Sequence, residues 1–317
     1  MDNLAHTLAG AALGQAGLKR RTGLGMATLM IAANLPDLDA IGLLFGENLA
    51  WRRGWTHGPV GLVLLPPVLA WIMVRFDRWQ ERRGRRPPDR LPVRFGPVLA
   101  LAYVGILSHP LLDFLNTYGV RCLMPFSDRW FYGDALFIID LLVWLSLGLG
   151  IWLGYRRERR GEGRAGWPAA VALAFVAAYS TGMGAASGMA ERYVARHMEA
   201  RGMGMPEKVL ASPVPVDPFR RRILFSTGEA YGFGELRWRP DPLLTLEPEL
   251  VPVGMDDPAV ARAAARDGKV ADFLYWSRFP FARIERSAGK ARVTIGDARY
   301  NRRPGEGPFT VRATVPD

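Results

Sequence analysis

Long uncharged stretches alternate with short charged clusters over the first 190 residues, whereas charge is scattered evenly over the remainder, and this contrast predicts two unlike halves. Charge-free windows cover 58–74, 95–112 and 165–190, and two longer runs, 22–46 and 135–155, are broken only by Asp. A bilayer core takes about twenty apolar helical residues, with about seventeen as the lower bound, so these five segments read as membrane spans. The run 3–18 is apolar and rich in small residues. As a helix it would rise only about 24 Å against a core of about 30 Å, which predicts a short or re-entrant helix. Lys19, Arg20 and Arg21 follow this run instead of preceding it, unlike the basic start of a signal peptide, so the segment reads as retained.

Beyond the last span, 190–205 continues as a helix carrying Glu191, Arg192, Arg196, His197 and Glu199, the mixture of a solvated face, and His197 reads as a surface residue. Pro206, Pro213, Pro215 and Pro218 mark 206–218 as an extended linker. Strand-like composition follows at 222–233, 273–281, 282–287, 291–297 and 309–315, with a short helix at 257–267. The alternation suggests an antiparallel sheet with one wet face. The predicted organisation is a mainly α polytopic membrane domain over 1–190, a helix and Pro-rich linker over 191–218, and a small α+β extramembrane domain with a mostly antiparallel sheet over 219–317. This last domain shows no catalytic set and could serve as a lid, a substrate-gripping module or a docking surface.

Charge changes the picture only once it is divided. The chain carries +11 overall at a pI near 10.3. Residues 1–189 hold 20 of the 41 Lys+Arg and 13 of the 30 Asp+Glu, a net of +7, and the rest holds 21 and 17, a net of +4. Clustering beside apolar runs is what the positive-inside rule produces, so the basicity reads as topology, and no direct nucleic-acid partner is expected. Eight Arg between Arg75 and Arg94, and five between Arg156 and Arg164, mark cytoplasmic loops. The loops 47–57 and 117–134 then lie outside, and the span 165–190 delivers the C-terminal half to the outer side. Arg52 and Arg53 run against this scheme. The single cysteine, Cys122, excludes an intrachain disulfide and any multi-cysteine metal or redox site.

Three of the four histidines, His6, His57 and His109, fall at segment ends together with Asp37, Asp39 and Asp113. His109 and Asp113 stand four apart, on one face of a helix, where imidazole and carboxylate can grip one cation. Asp37 and Asp39 follow Pro36, which favours a break that lets two carboxylates converge. Gly58 and Pro59 free the backbone beside His57. Taken singly, each is as well explained by a cap or an interfacial polar residue. Together they share one depth near the outer ends of their spans, and ionisable groups beside apolar spans are costly enough to face a cavity, a partner or an ion. Three His and three Asp without Cys suit Zn²⁺, or alternatively Mn²⁺ or Fe, and six ligands favour two or more ions. No Ser/His/Asp order, Gly-rich phosphate loop or H-E-x-x-H helix is present, which leaves hydrolysis by metal-activated water as the economical chemistry.

The series Asp2-x-x-x-His6-x-x-x-Gly10, Asn34-x-Pro36-Asp37-x-Asp39, Arg53-Gly54-x-Thr56-His57 and His109-x-x-Leu112-Asp113-x-x-x-x-Tyr118-Gly119 resembles the YdjM-like membrane-bound metal-dependent hydrolases, also described as LexA-binding. The resemblance covers roughly 1–150 and, more weakly, Ser277-Arg278-Phe279-Pro280 and Asp297-x-Arg299-Tyr300. It implies an inner-membrane protein with a hydrolase site. The helical H-x-x-x-D pair also looks like zinc-dependent phospholipase C, a looser analogy that favours a phosphoester substrate. One departure is Gly58, where relatives tend to carry a small hydroxyl residue that would contact His57.

Asp134 and Asp140 are candidate catalytic residues, as a further ligand and a hydrogen-bond partner of a histidine, although Asp134 equally suits a helix cap. Arg121, Arg129 and Tyr118, in the outer loop, are candidates for binding a substrate phosphate, unless the arginines are merely solvated. The favoured reading is an integral membrane hydrolase acting on a small-molecule or lipid-linked phosphoester at the outer face. Its rivals are a non-catalytic, LexA-binding membrane scaffold and a transporter whose His/Asp cluster binds a permeating ion. The transporter reading is weakened by ligands clustered at one depth and by the lack of an inverted repeat.

Overall fold

A computed structural model describes residues 1–45, 48–240 and 242–317. Gly46, the end of the apolar run 22–46, and Glu47, the start of the loop 47–57, lie outside the described residues. The chain divides into two compact units, one of Met1–Phe45 with Trp51–Gly184 and one of Gly46–Ala50 with Ala185–Asp317.

The first unit is helical. Helix α1 (Asn3–Gln15) is capped by Asp2, whose side chain accepts from the Leu4 and Ala5 amides. A 3₁₀ turn (Leu18–Arg21), α2 (Gly25–Ala32), a 3₁₀ run (Leu35–Phe45) and the short α3 (Asn48–Trp51) lead to α4 (Pro59–Arg82), α5 (Phe95–Phe114), α6 (Leu141–Arg159) and α7 (Trp167–Ala200). The expectation of one span over 22–46 is corrected: α2 stops at Ala32. Pro36 has no amide to bond the Ala32 carbonyl, so the helix cannot pass this point intact and continues as a 3₁₀ run. The helix expected over 135–155 begins only at Leu141, because Asp140 caps it, accepting from the Leu142 and Val143 amides.

Among the described residues three helices, α4, α5 and α7, are long and apolar enough to cross a membrane. Val63, Leu64 and Trp71 on α4, Leu107 and Leu111 on α5, and Val171 and Phe175 on α7 are exposed, an apolar surface suited to lipid and not to water. Inside, the helices approach closely through small residues, as helices in membranes do. A Cβ on Gly10 would sit 2.6 Å from the Leu29 carbonyl oxygen, and one on Gly105 would sit 2.5 Å from the Ala32 Cβ. These two glycines therefore allow α1 and α5 to close on α2, which sets His6 of α1 against His109 of α5.

The second unit begins within α7 and is built on two antiparallel sheets. The first has the order β1 (Lys208–Val214), β2 (Asp217–Ser226), β3 (Ala230–Arg237), β4 (Leu243–Leu246), with β5 (Val251–Pro252) also pairing β3. The second is β6 (Pro280–Ser287), β7 (Lys290–Asp297) and β8 (Thr310–Pro316), preceded by α8 (Pro258–Arg266) and α9 (Gly268–Trp276). The proline-rich run 206–218 is thus not a linker: β1 lies in it, and as an edge strand it tolerates Pro213. The run 222–233 is a hairpin, and 273–281 is the end of α9 followed by β6. The first sheet is also not wet on one side. Ala211, Ile223 and Phe225 pack on Ala190, Val194 and Met198 of α7, while Leu210, Leu224 and Phe233 meet Phe279 and Phe281 on the other face.

Candidate metal centre

The ends of several elements meet at one buried point. Asp37 comes from the 3₁₀ run after α2, His57 from the turn before α4, and His109 and Asp113 from successive turns of α5. One ligand atom from each of these four residues lies within 4.8 Å of the others. His57, His109 and Asp113 are fully buried and Asp37 nearly so. Neighbouring side chains aim the two imidazoles. The His109 Nδ1–H donates to the Ala33 carbonyl at 2.6 Å, leaving Nε2 as the free lone pair. His57 Nδ1 faces Asp39 Oδ2 at 3.2 Å and Thr56 Oγ1 at 3.1 Å, and its Nε2 also points inward. The two Nε2 atoms are 3.1 Å apart.

Two imidazole nitrogens this close are held together by a proton on one of them or by a cation that both ligate. Two carboxylate oxygens also face this point: Asp37 Oδ1 and Asp113 Oδ2 are buried and, among the described residues, accept no hydrogen bond of good geometry, although Asp113 Oδ2 is ion-paired with Arg53. Asp113 Oδ2 lies 3.4 Å from His57 Nε2 and 3.5 Å from His109 Nε2, and Asp37 Oδ1 lies 3.8 Å from His109 Nε2. Two nitrogen and two oxygen donors lying within 4.8 Å of one another could hold a metal ion. Electrostatics agree. Burial alone would push the His57 imidazole below its ordinary value, yet the Asp113 and Asp39 carboxylates override it and raise it. Asp39 is likewise pushed up by burial but held below the usual range by His57, Arg52 and the Arg53 amide. A position that draws a proton onto a buried imidazole is one of negative potential, favourable to a cation.

The other expected ligands stand around this group. The His6 ring stacks on His109 at 3.7 Å and 15°, with its Nε2 3.3 Å from Asp113 Oδ1. Asp39 backs His57 and accepts from the Arg53 amide at 2.6 Å. The α-amino group of Met1 also contacts Asp113 Oδ1.

Arg52 and Arg53, out of place as topology markers, are charges of the site. Arg53 is buried with its Nε 2.9 Å from Asp113 Oδ2, and its guanidinium also donates to Asn116 and the Gly119 carbonyl. Arg52, partly exposed, reaches to 3.7 Å from Asp37 and 3.6 Å from Asp39. Sequence reading missed Arg52 and Asn116. The signal available for Arg52 was its conflict with the positive-inside pattern.

The loop candidates do not join the four-residue group. Arg121 is buried and ties down the Arg52–Arg53 backbone: its side chain donates to the Arg52 carbonyl and its amide to the Arg53 carbonyl. Tyr118 lies under the Arg53 guanidinium, 4.6 Å away. Arg129 is exposed over Phe131. Asp140 spends one oxygen on the α6 cap and the other on the Tyr179 hydroxyl, 3.2 Å away. Asp134 is buried in a left-handed backbone conformation, φ 48°. Asp2 accepts from Trp144 Nε1 at 3.1 Å, pinning the start of α1 to α6 and so fixing the approach of His6.

The departure at Gly58 has a steric cause. A Cβ there would lie 2.1 Å from the Met124 carbonyl oxygen, so no hydroxyl side chain fits, and Thr56 and Asp39 hold His57 in its place. Gly58→Ala is expected to displace the His57 turn and weaken metal binding, which isothermal titration of the purified protein with Zn²⁺ would read; unchanged affinity would show that this packing does not position His57.

A family model described as YdjM inner membrane protein matches residues 1–187. No curated protein and no solved structure gives a significant match.

Proposed function

The chain belongs to the YdjM inner membrane protein family, and from that premise we propose that it is a multi-pass metal-dependent hydrolase of phosphoesters, with its site at the outer face and its sheet domain outside the cytoplasm. The supporting observation is the convergence of Asp37, His57 and the α5 pair His109 and Asp113, from three places in the chain, onto one buried point. These four residues would hold one divalent ion, Zn²⁺ first and Mn²⁺ or Fe as alternatives. A second ion, which six candidate ligands suggested, would require Asp39 to leave His57 and the Arg53 amide, and His6 to turn from its stack on His109. Such an ion supplies Lewis acidity and water acidic enough to ionise near neutral pH.

The protein's own groups divide the remaining work. Asp39 and the Ala33 carbonyl orient His57 and His109, the usual role of partners behind metal-binding imidazoles. Arg53 holds Asp113 in place from within. Arg52 stands at the accessible side, and once its carboxylate neighbours are neutralised its guanidinium is free to pair with a phosphate. The lipid-facing helices around the site favour a lipid-linked or membrane-adjacent ester.

The test is hydrolysis of a phosphodiester and of phospholipids by the purified protein supplied with Zn²⁺ or Mn²⁺. The wild type is expected to turn over at least one of them, His109→Ala to fall to background, and Arg52→Gln to raise KM with metal binding retained. Metal bound without turnover of any phosphoester would defeat the hydrolase reading while leaving the metal site standing. Asp39→Ala, which removes the group behind His57, is expected to weaken metal binding about 10- to 100-fold.

A further inference from the structure

We infer that the basic end of the helical unit carries a binding site for an anionic glycerophospholipid, with the lipid phosphate held between Arg20 and Arg164. A cavity of about 510 Å³ opens there between the end of α1 and the start of α7. It is lined by the small residues Ala16, Gly17 and Ala170 and by Arg20, Arg164 and Trp167. This place lies outside the metal centre: it adjoins the C-terminal end of α1, whereas His6 and Met1 belong to the N-terminal end.

Three features point to a lipid. The first is charge. Arg20 and Arg164 are exposed, and among the described residues neither has an ion-pair partner. The nearby Glu158 is already engaged by Lys19 and Gln15. Two exposed guanidiniums on one small cavity attract a phosphodiester, and basic pockets between membrane helices recognise anionic headgroups.

The second feature is level. Trp167 begins a helix long and apolar enough to span the membrane, and the residue is 62% exposed. Tryptophan at the end of such a helix sits at the height of the headgroups. The third is the path for the chains. Trp167, Val171 and Phe175 are spaced four apart, so they lie along one face of α7, and all three are exposed. This apolar stripe leads from the cavity along the lipid-facing surface, where acyl chains would lie. A free phosphate would use the arginines and leave the stripe and the Ala/Gly lining unexplained.

The experiment is native mass spectrometry of the full-length protein in mild detergent, titrated with phosphatidylglycerol or with phosphatidylcholine of the same chains, for the wild type and for Arg20→Gln/Arg164→Gln. The expected result is about tenfold or greater preference for phosphatidylglycerol, the scale of two basic residues against an anionic headgroup, and its loss in the double variant. Glycerol 3-phosphate at matched concentration is expected not to displace the lipid. Equal retention of the two lipids, or an undiminished preference in the double variant, would overturn the proposal. Displacement by glycerol 3-phosphate would overturn the lipid in favour of a soluble phosphate. Because glutamine keeps most of the side chain and Lys19–Glu158 is untouched, a matching thermal melt separates lost binding from lost folding.

Discussion

Asp113→Asn is expected to destabilise the helical unit by about 3–5 kcal/mol and to abolish metal binding in the same step. Asp113 is the one carboxylate shared by the Met1 amine, Arg53, His6, His57 and His109. Asparagine preserves shape but removes the charge, so Arg53 is left buried against a neutral group. Removing one partner of a buried pair costs about this much, because the remaining charge has no compensation. Thermal melts in detergent, with and without Zn²⁺, would show a lowered midpoint and no rise on adding metal. His109→Asn is the informative contrast: it takes a ligand but leaves the Arg53–Asp113 pair, so it should lose the metal-dependent rise with a smaller fall in the metal-free midpoint. If Asp113→Asn melted like the wild type, Asp113 would not be the electrostatic hub of the unit.

Asp297→Ala is expected to unfold the sheet domain by a similar margin, about 3–5 kcal/mol. Asp297 and Arg299 are both fully buried, with Arg299 Nε and the Asp297 carboxylate 2.9 Å apart. The same carboxylate accepts from the Ser277 hydroxyl at 2.6 Å and the Arg278 amide at 3.0 Å, tying the end of α9 to β7. Arg299 is laid over the Trp276 ring, itself stacked on Phe309 at 5.1 Å. Without Asp297 the guanidinium loses the buried carboxylate that balances its charge beside these aromatic rings. Limited proteolysis of the full-length variant should cleave after 200 at a rate the wild type never reaches, while the helical unit stays protected.

This carboxylate also sets an acid dependence. Burial pushes Asp297 up, but Arg299, Ser277 and the Arg299 amide outweigh it and hold the folded-state value below the ordinary 3.8. A depressed carboxyl contributes stability that is fully present above the unfolded value and is lost as pH falls through the folded one. The wild-type sheet domain should therefore keep this contribution down to about pH 4 and lose it below. The variant should show no such step, and an identical acid profile in both proteins would contradict the assignment.

Much of the helical half and its site is legible in sequence for a physical reason. Histidine and aspartate beside apolar runs are expensive, so His57, His109, Asp37 and Asp113 stand out against Leu and Val, and the four-residue spacing of His109 and Asp113 survives as a shared helix face. What is not legible depends on neighbours far apart in the chain. Asp140 sits in an apolar run as conspicuously as Asp113, yet it satisfies local amides and Tyr179, because the chain is not yet helical there. Arg52 and Arg53 run against the positive-inside scheme in the sequence, and the reason shows only when their partners, Asp37, Asp39 and Asp113, are placed beside them. In the C-terminal half the four prolines of 206–218 read as a linker, since nothing local shows that β1 is an edge strand, where proline is tolerated. The first sheet is covered on both faces because α7 extends to Ala200, and that extension carries charges that mark it as solvated.

The central claim is that Asp37, His57, His109 and Asp113 hold a metal ion, and the most direct test is elemental analysis of the detergent-purified, full-length protein after loading with Zn²⁺ or Mn²⁺ and exhaustive exchange. The wild type should retain about one equivalent per chain, the capacity of a single four-ligand site, and a His57→Ala/His109→Ala variant with wild-type helical circular dichroism should retain none. A wild type that holds no metal, or a folded double variant that keeps as much as the wild type, would contradict the account.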